Sequence, residues 1–499
     1  MLTRPDPRAL SGATHDLLVV GAGISGIMTA LEACRRGLRP LLLERDDFGA
    51  ATSHNSLRIV HGGLRYLQKA DLKRHLQSTR ERRWYLRHFP DLVHPLACLL
   101  PLYGKGLQRA PVLRAALAAN DILSFQRNTG VATAARLDSG RVLSAAEALA
   151  ACPQLEPTGL EGAALWYDGF APNFPRLLIE ALHWACAEGA QVLNHCPAIG
   201  LETAGGRVTG LRALDKRSGS EVAFHAPLVV NTSGPWADRF NAACGQTKTQ
   251  VFQPRLAWNL VFDRPQLCAQ ALAVSDPARG GQVLFLVPWK GALAVGTGYA
   301  PWPHGPDRPA VSAELLRRFL DEVNAALPGL DLAADQVSRV YAGLLPARRD
   351  DPAELSDRPI LLDHSREGGP WGLFTACEVK FTTARSLAED LLQRLFPGHA
   401  ARADEDFQRP KRLVPPDYPY FELPEAEDDA WKAPLRRAIA EEAPQSLGDL
   451  LLRRSSLGDN PARALALAED AGKLFDWPQA RLAEEIACLK KTLDLQQKT

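Results

Sequence analysis

The chain has 499 residues, more than one hydrophobic core serves, so at least two domains are expected. Its 46% apolar and 23% charged composition excludes a disordered or fibrous chain, and a net charge of +1 gives no long-range pull on nucleic acid. Nine scattered cysteines form no C-x-x-C pair, which argues against a disulfide framework or a cysteine zinc site and for a reducing compartment.

The first fifteen residues, MLTRPDPRALSGATH, have no apolar core and no cleavage pattern, so they do not read as a signal peptide. No stretch approaches the roughly 20 apolar residues that span a bilayer. The expectation is a cytoplasmic protein, with peripheral contact at the inner face of the cell membrane as the alternative.

Asp16 to Val20, DLLVV, is an apolar run suited to a buried parallel strand. GAGISG follows, with Gly21, Gly23 and Gly26 in G-x-G-x-x-G spacing. IMTALEACRRG then places Ile27, Ala30, Leu31 and Cys34 on one helical face and ends at Gly37. RPLLLE is a second strand closed by Glu44. Each part has a physical role: Gly21 for the tight turn, Gly23 for approach of a pyrophosphate, Gly26 for close helix packing. The helix N-terminus faces the phosphates, and Glu44 can accept from a ribose hydroxyl. With strands, helix and acid all in place, the segment reads as dinucleotide-binding.

Seven residues after Glu44 begins ATSHNSLRIVHGGLRYLQ, Ala51 to Gln68. A long polar, glycine-containing segment here suits a chain laid along an extended flavin nucleotide, FAD, better than the regular crossover unit of a nicotinamide enzyme. Thr52 and Ser53 are candidate donors to the pyrophosphate. His61, just before Gly62 and Gly63, is a candidate base beside the flavin, with Arg58 and Arg65 as neighbouring cations.

Further along, residues 71–184 and 246–354 alternate helical and strand patterns. Gly189 to Glu202 reads as one strand, with Gly206 to Ala213 as its hairpin partner. Residues 404–433 are rich in proline and acid and read as a linker. The 434–499 segment has helical periodicity.

The motifs together resemble the FAD-dependent glycerol-3-phosphate dehydrogenase family, among the glycine/D-amino-acid oxidase-like flavoenzymes. The family carries ATSxxSSKLIHGGLRYLE where this chain has ATSHNSLRIVHGGLRYLQ. VVNTSGPWADRF (Val229 to Phe240), LFLVPWKGALAVGTG (Leu284 to Gly298), KFTTARSLAEDLL (Lys380 to Leu392) and LGDLLLRRSSLG (Leu447 to Gly458) are similar to further family segments. The resemblance implies an α/β fold: a Rossmann-like FAD-binding domain (1–70, 185–245, 355–403) interleaved with an antiparallel-sheet α+β substrate domain (71–184, 246–354), plus a C-terminal helical domain. It extends the cofactor set to Arg45, Leu64, Ala198, Gly234, Phe381 and Thr382. It also implies Arg358 on the substrate side and Lys380 as a cation near the flavin ring.

Several positions depart from the family pattern. Leu345 stands where GVRP has its arginine, with Arg348 and Arg349 close by in sequence. Asn259 replaces the histidine of KGxH, Glu378 and Val379 replace two glycines of FGGK, GTTD becomes GTGY, and Asn173 takes the place of a pocket aspartate. Losing one arginine–phosphate fork costs on the order of a hundredfold in binding.

The resemblance therefore implies hydride transfer from a secondary alcohol such as sn-glycerol 3-phosphate to FAD, giving dihydroxyacetone phosphate, with electrons passed to a quinone or another acceptor. The departures leave two alternatives open: a same-family enzyme for another hydroxy or amino compound, or an FAD-bound scaffold without turnover. The partners expected are a small-molecule substrate and an electron acceptor, with no metal and no nucleic acid; a homodimer is the assembly left open.

Overall fold

In the computed structural model, residues 2–104, 109–275, 283–422 and 429–497 are described. The DLLVV run forms the strand Leu17–Val20, buried at all four positions because it is central in a parallel sheet. Pro40–Leu43 pairs with it on one side and Val229–Asn231 on the other, both parallel. The six-stranded sheet runs Ile360–Asp363, Leu373–Cys377, Val229–Asn231, Leu17–Val20, Pro40–Leu43, Gln191–Leu193, and only the Ile360–Asp363 edge is antiparallel to its neighbour. The helix Ile24–Arg35 covers the sheet, packed between the helices Phe174–Ala187 and Ala384–Leu395.

One expected strand is in fact two. Gln191–Leu193 extends the parallel sheet, while Ala198–Ala204 belongs to a separate three-stranded antiparallel sheet with Arg207–Asp215 and Ser220–His225. His195, at φ +49°, turns the chain between them, and Pro197 cannot donate to a ladder.

The third sheet has nine strands among the described residues. Its path is Val337–Pro346, Pro254–Pro265, Ala292–Pro301, Leu284–Trp289, Ala271–Val274, His94–Leu102, Gly162–Phe170, Ile59–Val60, with Arg141–Ser144 added on Gly162–Phe170. One face packs on the amphipathic helix Ala313–Ala326 through Trp258, Leu260, Phe262 and Phe319. The other face, with Val261, Phe285, Val287 and Ala294, looks toward the glycine turn and the C-terminal helices.

The proline-rich segment before those helices is anchored rather than free. Tyr420 is buried against Trp289, and its hydroxyl donates to Ser338 Oγ at 2.7 Å. Residues 423–428 of the expected linker lie outside the described residues. The helices from Lys432–Glu441 to Gln479–Gln497 form their own apolar core and dock through ion pairs. Arg454 forks onto Asp47 at 2.8 and 2.7 Å, and Arg176 forks onto Glu442 at 2.9 Å through both nitrogens. The two acid–histidine clusters here, Asp47–His195–Asp449 and Glu180–His183–Glu442, both lie within these arginine networks.

Candidate active site

A cavity of about 1890 Å³ lies between the parallel sheet and the open face of the nine-stranded sheet. That exceeds the ~300–1,000 Å³ of pockets for drug-sized ligands and leaves room for a dinucleotide plus a substrate. Its wall runs from Gly21, Gly23 and Glu44 through Arg45, Thr52, Ser53 and Arg58 to His61, Gly63 and Leu64. It continues through Ala198 and Gly234 to Lys380, Phe381 and Thr382.

At one end the glycines are needed where they stand. Gly21 has φ +96°, and a Cβ there would lie 2.7 Å from Ser233 Cα. A Cβ on Gly26 would lie 1.9 Å from the Gly21 carbonyl oxygen, so only glycine lets the helix begin this close to the strand. Glu44 accepts the Ala22 N–H at 2.7 Å and the Asp46 N–H at 2.9 Å. Burial raises its carboxyl above the usual range against those two bonds. Ser53 Oγ accepts the Ile24 N–H at 2.9 Å and so caps the helix start from outside.

At the other end, His61 leaves the short strand Ile59–Val60 with its side chain 47% exposed to the cavity. The Gly62 N–H donates to Asp168 Oδ1 at 2.6 Å, and Arg82 Nη1 donates to the same oxygen at 2.7 Å. A Cβ on Gly62 would fall 2.0 Å from Arg82 Nη1, and Gly63, at φ +81°, opens the helix Leu64–Gln68. Burial opposes ionisation of Asp168, but the His61 hydrogen bond, the Arg82 charge and the Gly62 N–H hold its carboxyl well below the ordinary range. His61 Nδ1 is 3.4 Å from Asp168 Oδ2. Against an ionised carboxylate Nδ1 is the donor of this pair, so in the neutral ring the lone pair falls on Nε2. Lys380 Nζ donates to the Tyr66 hydroxyl and lies 4.1 Å from that ring's centroid. Beside it, burial pushes the Glu378 carboxyl up against the N–H bonds of Val379 and Lys380.

Several expected roles change. Arg58 is buried at φ +67°, with its guanidinium 4.5 Å from the Trp289 ring, 4.9 Å from the Tyr341 ring and 3.9 Å from Asp459 Oδ1. It ties the loop to the C-terminal helices instead of facing a substrate beside His61. Arg358 is exposed outside the cavity, ahead of the edge strand. Arg348 and Arg349 are exposed there too, Arg348 forking onto Asp350. The Thr52 hydroxyl is taken by the Leu344 backbone, donating to its carbonyl at 3.0 Å and accepting its N–H at 3.2 Å, so it is not a pyrophosphate donor. Asn173 caps the helix Phe174–Ala187 by accepting the Arg176 N–H at 3.0 Å. Leu345, Asn259, Glu378 and Val379 do line the cavity.

Asp168, Arg82 and Tyr66 were not picked out by sequence. The available signal was the alternation of WYD in a strand, which puts Trp166 and Asp168 on one face. Arg65, exposed on the cavity wall, has no hydrogen-bond or ion-pair partner among the described residues.

The family model described as FAD dependent oxidoreductase matches residues 16–393. Glycerol-3-phosphate dehydrogenase of Synechocystis sp. is 30% identical over 401 residues, 78% of this chain and 71% of that one. Glycerol-3-phosphate dehydrogenase 1 of Mycobacterium tuberculosis is 31% identical over 392 residues, 77% and 73% of the two chains. The chain belongs to the FAD-dependent glycerol-3-phosphate dehydrogenase family. Family members differ in extent: the match to the bovine mitochondrial enzyme, 31% identical, spans 78% of this chain but only 54% of that one. The FAD complex of glycerol-3-phosphate dehydrogenase from Bacillus halodurans shares the fold, with a TM-score of 0.70 at 19% identity over 98% of this chain and 96% of that one.

The chain is thus an FAD-dependent oxidoreductase, and its residues fit the cofactor. Gly21 and Gly23 present bare backbone to the cavity, and a Cβ at Gly23 would lie 3.1 Å from Ser53 Oγ, while Gly26 keeps the helix start close behind that turn. Among the described residues no helix is long and apolar enough to cross a membrane.

Proposed function

We propose that the chain oxidises a secondary alcohol, with sn-glycerol 3-phosphate as the reference substrate, and delivers the electrons to a quinone or another acceptor. The observation that carries this reading is the His61–Asp168–Arg82 array, set on a glycine pair at the cavity wall. Bound FAD supplies the two-electron acceptor for the hydride; Gly21, Gly23, Gly26, Glu44 and Ser53 would hold its nucleotide end, and Lys380 its ring end. His61 Nε2 takes the hydroxyl proton as the C–H bond breaks and the C=O bond forms. Asp168 stabilises the charge that His61 then carries, and Arg82 keeps Asp168 ionised. Arg65 meets an anionic group of the substrate. The glycerol-3-phosphate dehydrogenases among the relatives support the reference substrate.

A second reading, another hydroxy compound, is favoured by one observation. Leu345 lines the cavity, while Arg348, Arg349 and Arg358 all lie outside it, so a phosphate would depend on other wall cations such as Arg65 and Lys380. Anaerobic titration of the yellow holoprotein with glycerol 3-phosphate separates the readings. Bleaching of the visible flavin band supports the first. A flavin that stays oxidised, yet is reduced by dithionite, sinks it.

A further inference from the structure

Past His61 the cavity continues into a side chamber with apolar walls. Its floor crosses four adjacent strands. Phe285 faces Ala273 across one ladder, Leu100 follows the Leu272–Leu99 pair on the next, and Trp166 faces Cys98 on the last. Its roof is the helix Ala110–Leu123, whose Val112, Ala116, Ala119 and Leu123 recur at helical spacing along the cavity wall. The same helix packs on the sheet through Leu113 and Leu117, both buried. Its second apolar stripe is partly open to the cavity among the described residues. Small residues, Ala116, Ala119 and Ala273, keep that space clear. Leu72 and Val112, 50% and 41% exposed, frame the mouth.

The chamber begins at the reacting groups. The Phe285 ring is 5.6 Å from the His61 ring, and Trp166 Nε1 is 3.4 Å from Asp168 Oδ2. We propose that the substrate is a secondary alcohol carrying an apolar chain, its hydroxyl at His61, its anionic head at Arg65 and its chain in this chamber. The proposal rests on the dehydrogenase reading above and takes it in its second form, a hydroxy compound other than glycerol 3-phosphate. Three interstrand steps make a floor of about 14 Å. At about 1.2 Å per bond an extended chain of about twelve bonds spans it. The same walls would also take the tail of a quinone, but they start at the proposed proton acceptor, where the substrate must sit, which favours the substrate.

The test uses the holoprotein and the straight-chain series from 2-hydroxybutanoate to 2-hydroxydecanoate, with binding read from the flavin difference spectrum and turnover from anaerobic flavin bleaching. The expected result is a Kd that falls about fourfold per added methylene, with bleaching by each member. Ala116→Phe and Ala119→Phe, two independent fillings from the roof, should each flatten the series. A Kd that is constant along the series overturns the chamber assignment, and bleaching at that constant Kd leaves the dehydrogenase reading standing. A falling Kd with a flavin that stays oxidised for every member overturns the dehydrogenase reading and the proposal with it. A flat substrate series, with a KM for decyl-tailed quinone far below that for a short-tailed one, gives the chamber to the acceptor and overturns the proposal.

Discussion

Asp168 carries more interactions than any other acid in the cavity wall needs for packing alone. It takes the Gly62 N–H, an Arg82 nitrogen and the His61 ring, while nearly buried. Asp168→Asn keeps the shape but removes the charge that sets the His61 tautomer. Flavin reduction by substrate should slow by about 10²–10⁴-fold, measured by anaerobic stopped flow. The same change leaves Arg82 buried beside a neutral amide, so the melting temperature should drop as well. A variant that reduces its flavin at the parent rate would remove His61 from the mechanism. The cations make a second contrast at this scale. Arg65→Ala should weaken binding of an anionic substrate about tenfold or more, since a hydrogen bond to a charged group is lost. Arg358→Ala, on an exposed side chain outside the cavity, should change kcat/KM by less than about twofold. The reverse ranking would mean that the edge strand folds over the substrate.

At the scale of elements, the start of the helix Ile24–Arg35 is the most constrained junction. Gly26→Ala puts a methyl group 1.9 Å from the Gly21 carbonyl oxygen and 2.7 Å from the Thr232 hydroxyl oxygen, and the Gly21 backbone cannot give without moving the glycine turn. The purified variant should be colourless and should not take up added FAD; a yellow variant of parent affinity would refute the cradle. This junction was legible in the sequence because strand, glycines, helix and acid are local and their spacing is fixed by one turn of chain. The split of 189–202 into two strands was not. Pro197 was the one local signal of the break; the positive φ at His195, whose ring meets Asp449 far along the chain, is not written in the local pattern. Arg58 was misread for a related reason. The sequence places it three residues before His61, but its direction is set by Trp289, Tyr341 and Asp459, far away in the chain. Asp168 was passed over because its partners, Gly62 and Arg82, are 106 and 86 residues away.

On the whole molecule, the C-terminal helices are clamped to the flavoenzyme body by carboxylates that must stay ionised and histidines that must stay neutral. Burial opposes ionisation of Asp459, but Lys290, Arg58 and Arg339 bring it down to about 2 from its ordinary 3.8. Asp47, between Arg453 and Arg454, and Glu442, beside Arg176, are likewise depressed against their burial. A carboxyl whose folded pKa lies below its unfolded one adds stability above the unfolded value and loses it as pH falls through the folded one. His54 and His183 are lowered from 6.5, first by burial, with Arg339 and Arg58 adding to it at His54 and Glu442 opposing it at His183. Their contribution has the same sign: it is full above 6.5 and is lost as acid charges the unfolded ring. Stability should therefore be level above neutrality, begin to fall below about pH 6.5, and fall most steeply between about pH 4 and 2. Because the clamp groups are concentrated at one junction, release of the C-terminal helices should come first. Protease cleavage in the 409–422 stretch and a change in tryptophan emission from Trp289 and Trp431 should then precede loss of flavin as the pH is lowered. Simultaneous loss of all three signals would mean that the junction and the cofactor cavity unfold as one unit, which is the outcome expected if Arg58, the residue shared by both, couples them more tightly than the clamp itself does.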